Sequence, residues 1–178
     1  GYDPFSFDIT ALLQKGAKQE IGVRVWDPTD DGVQPRGKQV KKPEGIWYTS
    51  VTGIWQTVWL EMVPETYIAS TKHTPDLNKG VIQIGARIES LRPGDKLRVK
   101  SFGENKLVAE QEGTDPANIE LAIPNARAWS PEDPFLYQLS ISVVRNGKIV
   151  DEVKSYFAMR KISMVKDGKG IQRMLLND

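Results

Sequence analysis

Tyr137-Gln138-Leu139-Ser140-Ile141-Ser142-Val143-Val144-Arg145-Asn146-Gly147-Lys148-Ile149-Val150 is the stretch on which the fold turns. Tyr137, Leu139, Ile141 and Val143 alternate with Gln138, Ser140 and Ser142, the period of two that sends one row into a core and the other into water. Asn146-Gly147 supplies the two positive-φ residues of a type I′ turn, so the chain reverses into a second strand from Ile149 to Phe157. An antiparallel hairpin with one wet face is the building unit of a sandwich rather than of a parallel α/β sheet.

Upstream of this hairpin the same pattern predicts strands at Tyr67 to Lys72, Val81 to Ser90, Lys96 to Phe102, Lys106 to Gln111 and Asn118 to Ile123. That makes seven in all, at the intervals of a β-sandwich. Arg92-Pro93-Gly94-Asp95 suits a tight reversal. Before Pro64, the row Ile21, Val23 and Val25 predicts a strand between Glu20 and Trp26. Ile54, Val58, Leu60 and Met62 share a face broken only by Gln56, with Trp55, Thr57, Trp59 and Glu61 opposite; bulk on both faces predicts a central strand. The best helical candidate, Thr10 to Gln14, is a single turn stopped by Lys15-Gly16. From Val165 the chain enters Lys166-Asp167-Gly168-Lys169-Gly170 and then Met174-Leu175-Leu176-Asn177-Asp178, read as a loop and the start of another apolar segment. No catalytic α/β domain is expected within these 178 residues.

A net charge of +1 offers no field of one sign to hold nucleic acid or anionic lipid, and neither is expected as a partner. The absence of cysteine removes disulfides, thiolate metal sites and cysteine nucleophiles together. No apolar run approaches the roughly 18 residues that span a bilayer, which predicts a soluble chain. Gly1-Tyr2-Asp3-Pro4-Phe5 has neither the basic start nor the apolar stretch of an export signal, and location stays open: periplasmic or secreted if a signal lies upstream.

Chemistry-bearing residues are sparse. The single histidine, His73, is read as lying beside a strand end with Thr74 and Pro75, without the serine and orienting carboxylate that a triad needs, and the simpler reading is a surface histidine. Asp27, Asp30 and Asp31 before Gly32 suggest a cation loop, but the spacing is wrong for an EF-hand, and a solvated loop is the expectation. Glu132 and Asp133, flanked by Pro131 and Pro134, read as turn residues rather than an acid and base pair. No metal and no cofactor is predicted. The segment Asp27 to Gly53 stands out: 27 residues with three prolines and four glycines exceed the length at which a connection is normally structureless without a function. Its Arg36, Gln39, Trp47 and Tyr48 make a candidate sugar-binding set, aromatic faces for stacking and polar groups for hydroxyls. The competing reading is that Trp47, Tyr48, Trp55 and Trp59 fill a core.

Several motifs together resemble glycoside hydrolase family 2, the β-galactosidase and β-glucuronidase family. They are Tyr2-Asp3-Pro4-Phe5-Ser6-Phe7-Asp8-Ile9-Thr10, Val23-Arg24-Val25-Trp26-Asp27-Pro28, Pro35-Arg36-Gly37-Lys38-Gln39, Gly45-Ile46-Trp47-Tyr48-Thr49 and Thr52-Gly53-Ile54-Trp55-Gln56-Thr57-Val58-Trp59-Leu60-Glu61. Trp129-Ser130-Pro131-Glu132-Asp133-Pro134-Phe135-Leu136-Tyr137 and Ser155-Tyr156-Phe157-Ala158-Met159-Arg160-Lys161-Ile162 are similar to the end of that family's immunoglobulin-like domain. The resemblance implies an all-β fold: a partial jelly-roll segment (1–64), the C-terminal part of a sugar-binding domain, followed by an immunoglobulin-like antiparallel β-sandwich (65–162) and a linker into a catalytic barrel (163–178). Ala158 where glycine is usual, Gln19 where asparagine is common and Asp178 where glycine usually follows asparagine depart from the pattern at local turns.

The family's acid/base and nucleophile glutamates belong to its barrel, so no residue here inherits a catalytic role. The resemblance implies a non-catalytic scaffold and accessory region of a retaining O-glycosyl hydrolase. Its partners would be the barrel of the same polypeptide and, in the full enzyme, carbohydrate substrate held in part by Arg36, Gln39, Trp47 and Tyr48; the oligomeric state is open. About 60 residues of a partial sandwich would expose strand edges and an apolar face for a partner to cover. Two rivals stay open, an autonomous carbohydrate-binding module and an immunoglobulin-like interaction domain.

Overall fold

The computed structural model describes residues 3–178, so Tyr2 at the head of the first motif lies outside them. The chain clusters into two units, Gly1–Leu60 and Glu61–Asp178. All regular structure among the described residues is β apart from one 3-10 turn, Thr10–Leu12. In that turn the Asp8 carboxylate accepts the Thr10 amide at 2.8 Å.

The first unit holds two short strands, β1 (Gln39–Val40) and β2 (Tyr48–Thr49), paired in parallel with Gln39 opposite Tyr48. The strands expected at Glu20 to Trp26 and Ile54 to Met62 do not form. A strand exists only as half of a ladder, and among the described residues neither segment has another strand beside it. Their apolar rows accordingly stand in water, with Trp26 80% and Trp59 70% exposed. Core filling by Trp47, Tyr48, Trp55 and Trp59 is overturned for the same reason, since each is exposed and Val40 is the unit's one buried apolar residue among those described.

The second unit is an immunoglobulin-like β-sandwich. One sheet pairs β3 (Tyr67–Asp76), β4 (Val81–Glu89) and β7 (Ile119–Ala122) in the order β3-β4-β7. The other runs β6-β5-β8-β9, built from β5 (Lys96–Gly103), β6 (Lys106–Gly113), β8 (Tyr137–Arg145) and β9 (Lys148–Phe157). Every neighbouring pair is antiparallel. All seven expected strands are present, because alternation along each one meets a partner that lies in the same unit. Asn146 and Gly147 have φ of 50° and 77°, the left-handed pair that a two-residue hairpin demands. The Asp95 amide donates to the Arg92 carbonyl at 3.0 Å, closing the expected reversal.

The core lies between the sheets: Ile82 and Ile84 from β4, Leu121 from β7, Leu97 and Val99 from β5, and Leu139, Ile141 and Val143 from β8. Burying each such side chain stabilises the fold by about 1.5–3 kcal/mol. At one end Tyr137 stacks on Phe157 with ring centroids 5.1 Å apart, while its hydroxyl accepts the Arg127 amide at 2.8 Å.

The segment 163–178, expected as a linker, folds back on itself. Strands β10 (Ile162–Lys166) and β11 (Gln172–Leu176) form an antiparallel hairpin. Asp167 makes its turn, taking the Lys169 and Ile171 amides on one oxygen. Asn177 fastens the hairpin's end, donating its side-chain amide to the Trp129 carbonyl and accepting the Lys161 amide, both at 2.9 Å.

Candidate functional site

The long loop of the first unit is organised by its own carboxylates. Asp27 accepts the Thr29 amide at 2.8 Å and the Thr52 hydroxyl at 3.2 Å, tying the loop's two ends together. Asp30 accepts the Lys41 amide at 3.2 Å and lies 3.5 Å from the Arg36 guanidinium, and Asp31 pairs with the Lys41 ammonium. These acids act as internal pegs. Among the described residues no three of histidine, cysteine, aspartate and glutamate converge in a way that would hold a metal ion.

Between the pegs opens a cleft of about 420 Å³ whose walls include Asp30, Arg36, Val40, Lys41, Glu44 and Trp47. The Arg36 guanidinium carbon stands 5.8 Å from the Trp47 ring centroid, within cation–π reach, and Trp47 remains 41% exposed. Gln39 and Tyr48 sit opposite one another in the adjoining β1–β2 pair, and the Tyr48 amide donates to the Lys38 carbonyl at 2.8 Å. The structure brings Arg36 and Trp47 together in the cleft, whereas Gln39 and Tyr48 pair in the adjoining strands and are not among the residues that line it.

Sequence reasoning missed Val40, the buried floor of the cleft, and Lys41, which holds its acidic side. A readable signal existed in the opposite charges of Asp30-Asp31 and Lys41-Lys42 flanking the Arg36 motif. An indole face beside a guanidinium suits the apolar face and hydroxyls of a sugar ring.

The remaining candidates are structural. His73 lies inside β3 rather than beside its end, since that strand runs on to Asp76. It is half-buried, bonded to the Tyr156 backbone, and its Nε2 is enclosed without a hydrogen-bond partner. Burial holds its pKa below the usual 6.5, against the pull of that backbone bond. The surface reading gives way, because β9 packs against that edge of β3. Arg127 clamps Asp133 through two bonds of 2.7 and 2.6 Å and depresses its pKa, while Ser130 and Asp133 exchange backbone bonds in a tight turn. A carboxylate so held is a poor proton donor at neutral pH.

Comparison with known proteins bears on the family and the fold. The profile of Glycosyl hydrolases family 2 matches residues 66–160. A Formosa agariphila protein whose name assigns it to the β-glucuronidases is 30% identical over 92% of this chain and 15% of its own length. A β-galactosidase of Thermoanaerobacter pseudethanolicus is 25% identical over 95% of this chain and 23% of its own. Among solved structures, a β-glucuronidase from Ruminococcus gnavus in complex with D-glucuronic acid superposes with a TM-score of 0.54 at 24% identity, covering 65% of this chain and 19% of that one. That likeness is one of fold. The chain spans between about a seventh and a quarter of these relatives.

Proposed function

The chain belongs to glycosyl hydrolase family 2, and from that premise we propose that it is a non-catalytic scaffold and accessory region of a β-galactosidase- or β-glucuronidase-like enzyme that retains anomeric configuration. The observation that carries the reading is the cleft in which Arg36 faces Trp47 in a chain whose best-placed acids are committed to ion pairs. Asp30, Asp31 and Asp133 each face a cation and spend their lone pairs within the protein. An exposed indole and a guanidinium instead bind and orient.

In this reading a barrel of the same polypeptide provides acid and nucleophile. Arg36, Gln39, Trp47 and Tyr48 contribute one wall of the sugar pocket, Trp47 by stacking and the polar three by bonds to hydroxyls. The apolar surface of the first unit, from Phe5 and Phe7 to Trp59, is the face on which the rest of that polypeptide packs.

The test is a pair of measurements. In the full-length enzyme, Trp47→Ala is expected to raise KM for a chromogenic β-galactoside or β-glucuronide about tenfold while the melting temperature holds. Unchanged kinetics would remove Trp47 from the pocket. The 178-residue chain alone is expected to cleave neither substrate, and turnover by it would overturn the non-catalytic reading.

A further inference from the structure

The outer face of the four-stranded sheet carries a groove of about 600 Å³ that crosses β5, β8 and β9. Register places its side chains in rows. Phe102 is opposite Gln138, and Gln138 is opposite Tyr156, so an amide lies between two aromatic rings. Neighbouring strands are about 4.8 Å apart, which sets the two rings about 10 Å from one another across the sheet, comparable with the repeat of two sugar rings in an extended chain. Tyr156, at the edge of the groove rather than among the residues that line it, is 65% exposed, and its chain neighbour Phe157 is buried, so the ring projects from the outer face. The next rows along the groove supply Ser140 and Ser142 as its floor.

Charge decides the class of occupant. Two of the groove's cations are paired within the sheet, Arg98 bonding Glu112 at 2.9 Å and Lys100 lying 3.5 Å from Glu110, and Lys154 shares the face with Glu152 one row away. Nucleic acid or a polyanionic chain would find no net positive strip. A protein partner would meet a polar, ion-paired centre rather than the apolar core of a stable interface. What remains complementary is a neutral, polyhydroxylated ligand, which needs amide and hydroxyl partners fixed between aromatic faces.

We propose that this outer face binds a neutral, unbranched, β-linked oligosaccharide laid across β5, β8 and β9 between Phe102 and Tyr156, with Gln138 beneath it. The site is separate from the Arg36–Trp47 cleft and would hold a polymeric chain rather than the ring being cleaved.

The experiment is an amide NMR titration of the 178-residue chain with cellohexaose, with a β-linked galactan hexasaccharide and with hexagalacturonate. Saturable shifts at Phe102, Gln138, Ser140 and Tyr156 with at least one neutral hexasaccharide are expected. Tyr156→Ala, at an exposed position, should weaken that binding about fivefold or more with the fold intact. Gln138→Ala should weaken it as well, and Trp47→Ala should leave it unchanged, which separates this proposal from the function of the cleft. No saturable shift with either neutral probe would overturn it. So would preference for hexagalacturonate, shifts confined to residues 27–53, or undiminished binding by Tyr156→Ala.

Discussion

Arg145 grips both carboxylate oxygens of Asp95, its Nε and Nη2 each 2.7 Å from one of them, and thereby joins the end of β8 to the turn that starts β5. The Asp95 side chain is wholly enclosed. The same guanidinium donates to the Thr66 hydroxyl at 2.9 Å, and that hydroxyl donates in turn to the Ser90 carbonyl at 2.9 Å. One ion pair thus stitches the entry of the sandwich to the two turns beside it, and its hydrogen bonds to Arg145 hold the Asp95 pKa at about 2.

Asp95→Asn removes the charge and leaves Arg145 facing a neutral amide. The loss expected is about 2 kcal/mol at neutral pH, in the range for breaking a hydrogen-bonded buried pair, read by urea denaturation. The pH dependence has a definite sign. Because the folded pKa lies below the ordinary 3.8, the unfolded chain binds the proton more readily. Stability from this group is complete above about pH 4 and disappears as pH falls toward 2. Melting curves across that window should fall more steeply for the wild type than for Asp95→Asn. Parallel slopes would mean that Asp95 is not the group responsible.

His73 works at the other end of the scale. Its ring is neutral in the fold because burial disfavours the imidazolium. The unfolded chain therefore takes up a proton first as pH falls through about 6.5, and the sandwich loses stability below that pH. His73→Gln should flatten the melting temperature between pH 7 and pH 5 relative to the wild type. An identical decline in both proteins would assign the effect to other groups.

How much of this was readable in the sequence depends on where each strand finds its partner. From Tyr67 to Phe157 every alternating run finds its partners within the same unit, whether next in the chain, as β8 and β9, or distant, as β4 with β7 and β5 with β8, and alternation together with the turn residues located seven strands and two turns. Ile21 to Val25 and Ile54 to Leu60 carry an equally good pattern, but pattern predicts only which residues would share a face. The ladder is non-local, and neither segment finds one here. The hairpin at the C-terminal end had its signal in the open: Ile162 and Met164 alternate on one side of Asp167-Gly168-Lys169-Gly170, and Met174 and Leu176 on the other. In the sequence this stretch reads as a loop and the start of another apolar segment, because nothing local to Met174-Leu175-Leu176 names its partner strand. In the cleft, composition pointed to Arg36 and Trp47, whereas the ion pairs that place them depend on a loop path with no period to betray it.

The β8–β9 turn offers a sharper test of backbone geometry. Gly147 has φ of 77° and nothing lies near its missing Cβ, so a larger residue would meet no clash, only left-handed strain. Gly147→Ala should cost about 1–2 kcal/mol in chemical denaturation. Gly94, also at positive φ in its reversal, is a matched control expected to behave alike. If Gly147→Ala were neutral, the turn must relax to another type, and the Val144–Ile149 pairing next to it would shift with it.

Asn177 is the fastener of the β10–β11 hairpin, since its side chain satisfies the Trp129 carbonyl and the Lys161 amide at once while its own amide donates to the Lys161 carbonyl at 2.8 Å. Its φ of 59° adds a reason for asparagine there, a residue that tolerates the left-handed region better than alanine. Asn177→Ala should leave the core strands intact, because no residue of the sandwich interior touches that side chain's bonds. The expected effect is local: amides of Ile162 to Lys166 should exchange about tenfold faster, a loss of about 1.4 kcal/mol in the opening of the hairpin, while those of β5 and β8 keep their protection. Asn177→Gly, which keeps the backbone conformation but lacks both side-chain bonds, separates the two causes. Exchange restored by glycine would assign the effect to backbone strain, and exchange as fast as in the alanine variant would assign it to the lost bonds.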